Sequence, residues 1–186
     1  MNDIEPPAFL SEIAAVASWP IAALTVALIL ALVIAIRLRR TRRRRREWLI
    51  LDGSNILYWK DKTPRIDSLH GAIRELTARG YTPGVVFDAN AGYLVAGRYL
   101  HHDGFAKALG IPVDRVMVVP KGEPADDFIL RAARELGARI VTNDRYRDWA
   151  ETYPEVASPG YLIRGGYEAN RIWFDLDTRA DQAAAK

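Results

Sequence analysis

Carboxylates recur in this chain at the ends of apolar runs and at the start of a helix, where they could do chemistry together. Asp52 closes the run Leu49-Ile50-Leu51, which reads as a short buried strand followed by the turn Gly53-Ser54-Asn55. Asn55 is placed to hydrogen-bond back across that turn or to cap a helix. Asp126 and Asp127 open a helix, where negative charge is favoured by about 0.3–1 kcal/mol. Asp144 follows the apolar run Ile140-Val141, and Asp148 stands four residues further. Acids from three segments converging on one rim repel one another when empty. One or two divalent cations reverse that sign, and Mg2+ or Mn2+ is commonly held by one or two carboxylates with substrate phosphates and water. Taken singly, Asp126 and Asp127 could serve as caps and Asp144 as a turn residue.

The elements that must position these acids alternate. Trp48 to Leu51 is predicted as the first strand. Ile66, Leu69, Ile73 and Leu76 space a helix over Ile66 to Arg79, with Gly80 as its stop. Gly84 to Asp88 is the second strand, and Asp88 is a candidate supporting ligand. A helix over Gly97 to Leu109, a strand over Val113 to Val119, a helix over Asp126 to Leu136 and a strand over Arg139 to Thr142 follow. Asn143 to Trp149 starts a short helix, in which Asp144 and Asp148 share a face. Tyr161 to Arg164 and Arg171 to Asp175 suggest a hairpin around Gly165-Gly166. The alternation implies parallel pairing and a three-layer α/β fold with a mostly parallel central sheet.

The N-terminal third is of another kind. Residues 13–36 carry no charge, and about 20 apolar residues suffice to cross a bilayer. Eight arginines follow within residues 37–46, while the N-terminus holds Asp3, Glu5 and Glu12. That order implies a single transmembrane helix with a basic flank and a cytoplasmic C-terminal domain, as in a bacterial inner membrane, rather than a cleaved signal peptide. The expected division is an extracytoplasmic stretch over 1–12, a transmembrane helix over 13–36, a basic linker over 37–47, a domain over 48–178 and a tail over 179–186. The arginines could also meet RNA or anionic headgroups. Beyond Trp48 there are 18 Lys and Arg against 19 Asp and Glu, so the domain itself is near neutral. There is no cysteine, hence no disulfide framework and no thiolate metal site. No Gly-x-Gly-x-x-Gly or Gly-Lys-Ser/Thr motif indicates a nucleotide-binding fold, and Ser54 lacks the context of a nucleophile elbow.

Three runs carry a resemblance. Asp52-Gly53-Ser54-Asn55, the helix-opening Asp126-Asp127 and Thr142-Asn143-Asp144-Arg145-Tyr146-Arg147-Asp148 resemble the signature of NYN-domain ribonucleases of the PIN-like superfamily. The likeness is to the branch that in animals is attached to a CCCH zinc finger, and it covers roughly Trp48 to Phe174. It implies a PIN-like domain whose Mg2+ or Mn2+ site hydrolyses RNA, with endonucleolytic action expected. The ligand roles fall on Asp52, Asp126, Asp127, Asp144 and Asp148, and Asn55 would orient the metal shell or the scissile phosphate. Lys121, Arg145 and Arg147 are candidate phosphate contacts. Trp59, Tyr58 and Tyr93 either stack on unpaired bases or belong to the core, and His101-His102 read as surface groups. The animal proteins have several basic residues before the paired acids; here Lys121 is the sole cation of Pro120-Lys121-Gly122-Glu123-Pro124. A tethered RNA-binding module and a phosphatase of small phosphoesters are the competing readings. RNA, single-stranded or in structured loops, and the membrane are the expected partners, and homo-oligomerisation is left open.

Overall fold

The strand beginning at Trp48 is paired on both sides, and the rest of the C-terminal unit is laid out around it. The computed structural model describes residues 24, 26–34 and 47–176. The chain divides into two units, Met1–Arg46 and Glu47–Lys186. In the first, residues 26–34 are helical and exposed. The remainder of the expected span, the residues before it, the arginines of 37–46 and the tail from 177 lie outside the described residues. Among the described residues no helix is long and apolar enough to cross a membrane.

In the second unit β1 (Trp48–Asp52) leads into a short α1 (Gly53–Ile56) and then α2 (Ile66–Ala78). There follow β2 (Thr82–Phe87), α3 (Ala91–Ala96), α4 (His102–Leu109), β3 (Val116–Val118), α5 (Ala125–Leu136), β4 (Arg139–Val141) and β5 (Leu162–Ile163). The five strands form one parallel sheet in the order β3-β2-β1-β4-β5. β6 (Gly165–Glu168) and β7 (Arg171–Phe174) form a separate antiparallel hairpin. From β1 the chain steps outward to β2 and β3, then crosses back to β4 on the other side. The carboxyl ends of β1 and β4 therefore flank the point where the strand order reverses, which is where open α/β sheets hold their ligands.

Side chains alternate across β1. Leu49 and Leu51 face a core with Leu69, Leu76, Phe87 and Phe105 from α2, β2 and α4. Ile50 faces the opposite core with Ile129, Leu130 and Ala133 of α5 and Ile140 of β4. Both faces of the sheet are covered, so the strands read as continuous apolar runs. Each such side chain contributes about 1.5–3 kcal/mol on burial, and Phe87 stacks on Phe105 at 3.9 Å. The α/β architecture with a parallel central sheet is thus as expected.

Three local expectations are corrected. The helix expected over Gly97 to Leu109 begins only at His102; Gly97 sits in the left-handed region (φ 66°) as the stop of the separate, preceding α3. The strand expected from Val113 begins only at Val116, after a 3-10 turn over Val113–Arg115. The last hairpin is displaced. Leu162–Ile163 pairs with β4, and the turn falls at Ala169 and Asn170, both at positive φ.

Candidate active site

Asp52 ends the central strand and is 8% exposed. Its Oδ1 accepts the Asn55 N–H at 3.1 Å, capping α1. Its Oδ2 accepts the hydroxyls of Thr142 at 3.0 Å and Tyr146 at 3.2 Å. Burial pushes its pKa up to about 6 against the pull of these three donors, and the charge of Asp126 adds to the rise. A carboxylate with three donors and a raised pKa is short of positive charge.

The segment after β4 is a loop, contrary to the helix expected over Asn143 to Trp149. Thr142 Oγ1 accepts the Asp144 N–H at 3.0 Å, and Asp144 Oδ1 accepts the Tyr146 N–H at 2.9 Å. This side-chain turn diverts the backbone, Tyr146 takes φ 47°, and a 3-10 turn over Arg147–Trp149 follows. Asp144 and Asp148 are therefore joined by a loop and do not share a helical face. Both line an open depression of about 490 Å³ with Asn55, Asn143, Arg145 and Arg147.

Asp126 and Asp127 stand in the first turn of α5 and part company there. Asp126 Oδ2 accepts the indole N–H of Trp149 at 3.1 Å. Burial raises its pKa, and the nearby charges of Asp144 and Asp148 raise it further. Asp127 Oδ1 accepts the Tyr153 hydroxyl at 2.6 Å, and its Oδ2 lies 3.7 Å from Arg131. Asp126 thus feels Asp144 and Asp148 and acts in turn on Asp52, whereas Asp127 is given to Tyr153 and Arg131.

Asn55 is committed to neighbours. Its Oδ1 accepts the Trp59 indole N–H at 2.8 Å and the Asn143 backbone N–H at 3.1 Å. Asn143 in turn joins β6, donating to the Gly165 carbonyl at 2.9 Å. Asp88 closes its own turn by accepting the Asn90 N–H at 2.8 Å, while its backbone N–H donates to Ser54 Oγ at 3.1 Å. Lys121 is exposed. Of the donors to these acids, Thr142 and Tyr146 lie in the sequence motif without a role read from it, and Trp149 and Tyr153 lie outside it. The spacing of Tyr146, Trp149 and Tyr153 beside an acid-rich run is the signal that could have found them.

Among the described residues, no Arg, Lys or His lies within ion-pair distance of Asp52, Asp126, Asp144 or Asp148. Nor, among those residues, is there a ready-made group of three or more acids or histidines that could hold an ion. The donors are hard oxygens, and the acids that repel one another are distributed along a rim. That chemistry fits a cation of the Mg2+ or Mn2+ type, which completes its shell with water and phosphate.

A parallel α/β sheet with acids at its topological switch point fits a PIN-like domain. The model of the Zc3h12a-like Ribonuclease NYN domain family matches residues 45–160, and the chain belongs to this family. None of the curated proteins compared matches the chain. Among solved structures, the nuclear proteinaceous RNase P 2 (PRORP2) of A. thaliana is similar with a TM-score of 0.54 and 17% identity. That match covers 70% of this chain and 30% of that one. A second structure of the Arabidopsis thaliana nuclear protein-only RNase P 2 gives 0.48 and 18% over 88% of this chain and 37% of that one. The first likeness is one of fold, and the chain spans about a third of the length of that protein.

Proposed function

We propose that the domain is a divalent-metal-dependent ribonuclease acting endonucleolytically. The observation that carries this reading is the run of acids at the β1/β4 switch point, in which the charge of Asp126 acts on Asp52 and the charges of Asp144 and Asp148 act on Asp126, with no paired cation among the described residues. Binding a polyanion does not call for four carboxylates; holding a cation does. Membership of a ribonuclease family makes RNA the favoured phosphodiester. Asp52, Asp126, Asp144 and Asp148 would hold the metal. Bound there, it would offset the charge of the phosphate and lower the pKa of an attacking water.

The chain's own groups supply positioning. Thr142 and Tyr146 fix the Asp52 carboxylate, and Trp149 fixes Asp126. Asn55 sets the course of the Asn143–Asp144 backbone and so is a positioning residue. Arg145 and Arg147, lining the same depression, are placed to receive the phosphate, and a guanidinium suits its geometry.

The uncharged run of residues 13–36 and the arginines behind it support a single-pass anchor with the domain on the cytoplasmic side. Protease added to spheroplasts is expected to leave the domain intact.

The deciding experiment incubates the 186-residue chain with labelled single-stranded RNA in Mn2+, Mg2+ or EDTA, beside Asp144→Asn. Cleavage in metal only, lost in the variant, is expected. RNA binding without cleavage in any divalent metal would indicate a tethered binding module, and hydrolysis confined to small phosphoesters a phosphatase.

A further inference from the structure

The segment after β2 carries a feature built from rings instead of acids. Tyr93 on α3 is 56% exposed and Tyr99 beyond it 38%. Their ring centroids are 6.4 Å apart at a 50° tilt. His101 meets Tyr99 edge-on at 4.6 Å, and the ring of His102 follows at 6.1 Å. Single exposed aromatics are ordinary on a protein surface. Four rings in succession, all exposed, form an aromatic strip that the fold leaves to water.

The backbone holds this strip in place. Gly97 ends α3 and turns the chain back on it. A Cβ on Gly92 would come 2.5 Å from the Leu100 nitrogen and 2.8 Å from the Arg98 carbonyl. The backbone of residues 98–100 therefore lies directly on α3, and that contact sets Tyr99 beside Tyr93. Leu100 anchors the loop by packing against the core.

The turn that leads into this segment lies beside the active-site strand. β2 neighbours β1, and the Asp88 N–H that opens the turn into α3 is bonded to Ser54, two residues after Asp52. The acids lie at the ends of β1 and β4, and the rings follow the end of β2 on the other side. Carboxylates repel an RNA backbone, so affinity has to come from groups around them. Exposed Arg98 lies between the two tyrosines in sequence. A protein partner would fit rings alone; rings on a segment that also carries an exposed cation and that follows the strand beside β1 fit nucleic acid.

We infer that Tyr93, Tyr99, His101 and His102 form a stacking platform for unpaired bases flanking the scissile phosphate of a single-stranded RNA. This rests on the ribonuclease reading above. Stacking is tolerant of base identity, because every base has a π-face. The platform thus supplies affinity for single strands and little sequence preference.

The test uses the 186-residue chain carrying Asp144→Asn, to block cleavage, in Mg2+. Fluorescence anisotropy compares a labelled oligoadenylate with an abasic ribose-phosphate strand of equal length. Tyr93→Ala with Tyr99→Ala is expected to weaken oligoadenylate binding by about tenfold or more and to leave abasic binding unchanged. Tyr93→Phe with Tyr99→Phe should bind as the parent does. If the alanine pair unfolds, Tyr93→Ser alone decides on the same readout. Equal binding of oligoadenylate with and without the tyrosines, or equal losses on both strands, overturns the platform. Cleavage assayed in parallel with Asp144 restored separates the two ideas. Retained cleavage with ring-independent binding sinks the platform alone, whereas a parent that neither binds nor cuts RNA sinks the ribonuclease reading and the platform with it.

Discussion

Tyr146 donates its hydroxyl to Asp52 Oδ2 at 3.2 Å from a backbone in the left-handed region. The side chain is 2% exposed, and its own ionisation is driven far above the usual range by burial and by Asp52. It is therefore a permanent donor to that carboxylate. Removing a donor to the charged form raises the pKa of a carboxyl group. In Tyr146→Phe the acidic limb of the cleavage pH profile is expected to move to higher pH, with a stability change of about 1 kcal/mol. An unmoved limb would show that Asp52 does not titrate in the reaction.

Asp52 also sets the direction of a pH effect on stability. Its folded pKa of about 6 lies above the ordinary 3.8, so the folded state binds more protons than the unfolded state between those values. Stability from this group falls as pH rises from about 4 through 6, by up to about 3 kcal/mol. Asp126, raised as well, acts in the same direction. Glu155, held down to about 2 by Arg134, stabilises the fold above pH 4.5 and loses that effect only below it. In EDTA, Asp52→Asn is expected to melt above wild type at pH 7.5, the gap closing near pH 4.5. A variant that melts lower at pH 7.5 contradicts this account.

The paired acids of α5 should separate in a melting experiment without metal. Asp126→Asn relieves repulsion with Asp52, Asp144 and Asp148, so its Tm should equal or exceed that of wild type. Asp127→Asn weakens the bond from Tyr153 and the pairing with Arg131, at a cost of about 0.5–1 kcal/mol. Lower melting for both would mean that Asp126 is a structural residue only.

Adding Mn2+ in excess of its Kd should stabilise wild type by mass action, about 2.7 kcal/mol at a hundredfold excess. Asp126→Asn and Asp144→Asn should gain less under the same titration. Equal gains in all three proteins would place the bound ion elsewhere.

The hairpin should matter to activity although residues 165–174 lie outside the family match of 45–160. A Cβ on Gly165 would meet the Trp59 ring at 2.5 Å, and Trp59 holds Asn55. Gly165→Ala is expected to cost about 1–3 kcal/mol and to reduce cleavage. Asn55→Ala should reduce cleavage by a similar factor, and the double variant by little more, because the two act through one network. Additive losses would separate the hairpin from the site.

Much of this site was legible because apolar runs end abruptly in acids. Leu49 to Asp52 and Ile140 to Asp144 announce both strand ends that flank the crevice, and the helical period of Ile129, Leu130 and Ala133 places Asp126 at a helix start. The rest depends on tertiary contacts that no local pattern encodes. Asp144 bonding the Tyr146 N–H replaces the helix that the four-residue spacing suggested. Gly97 reads equally as a helix start or a helix stop, and only its positive φ decides. Gly165 looks like a turn residue, yet its place is fixed by the ring of Trp59, more than a hundred residues earlier. The division of Asp126 from Asp127 follows from Trp149 and Tyr153, whose reach becomes visible only once β4 is in the sheet.

One guanidinium spans both ends of the described domain. Arg139, 6% exposed, donates from Nε to Glu47 at 2.7 Å and from Nη1 to the Leu176 carbonyl at 3.3 Å. Glu47 and Leu176 are therefore neighbours at the amino edge of the sheet, opposite the strand ends that bear Asp52 and Asp144. A single buried side chain thus ties the residue that precedes β1 to one that follows β7. A linker between residues 47 and 176 would therefore be short and would run along the side of the sheet away from the acidic rim.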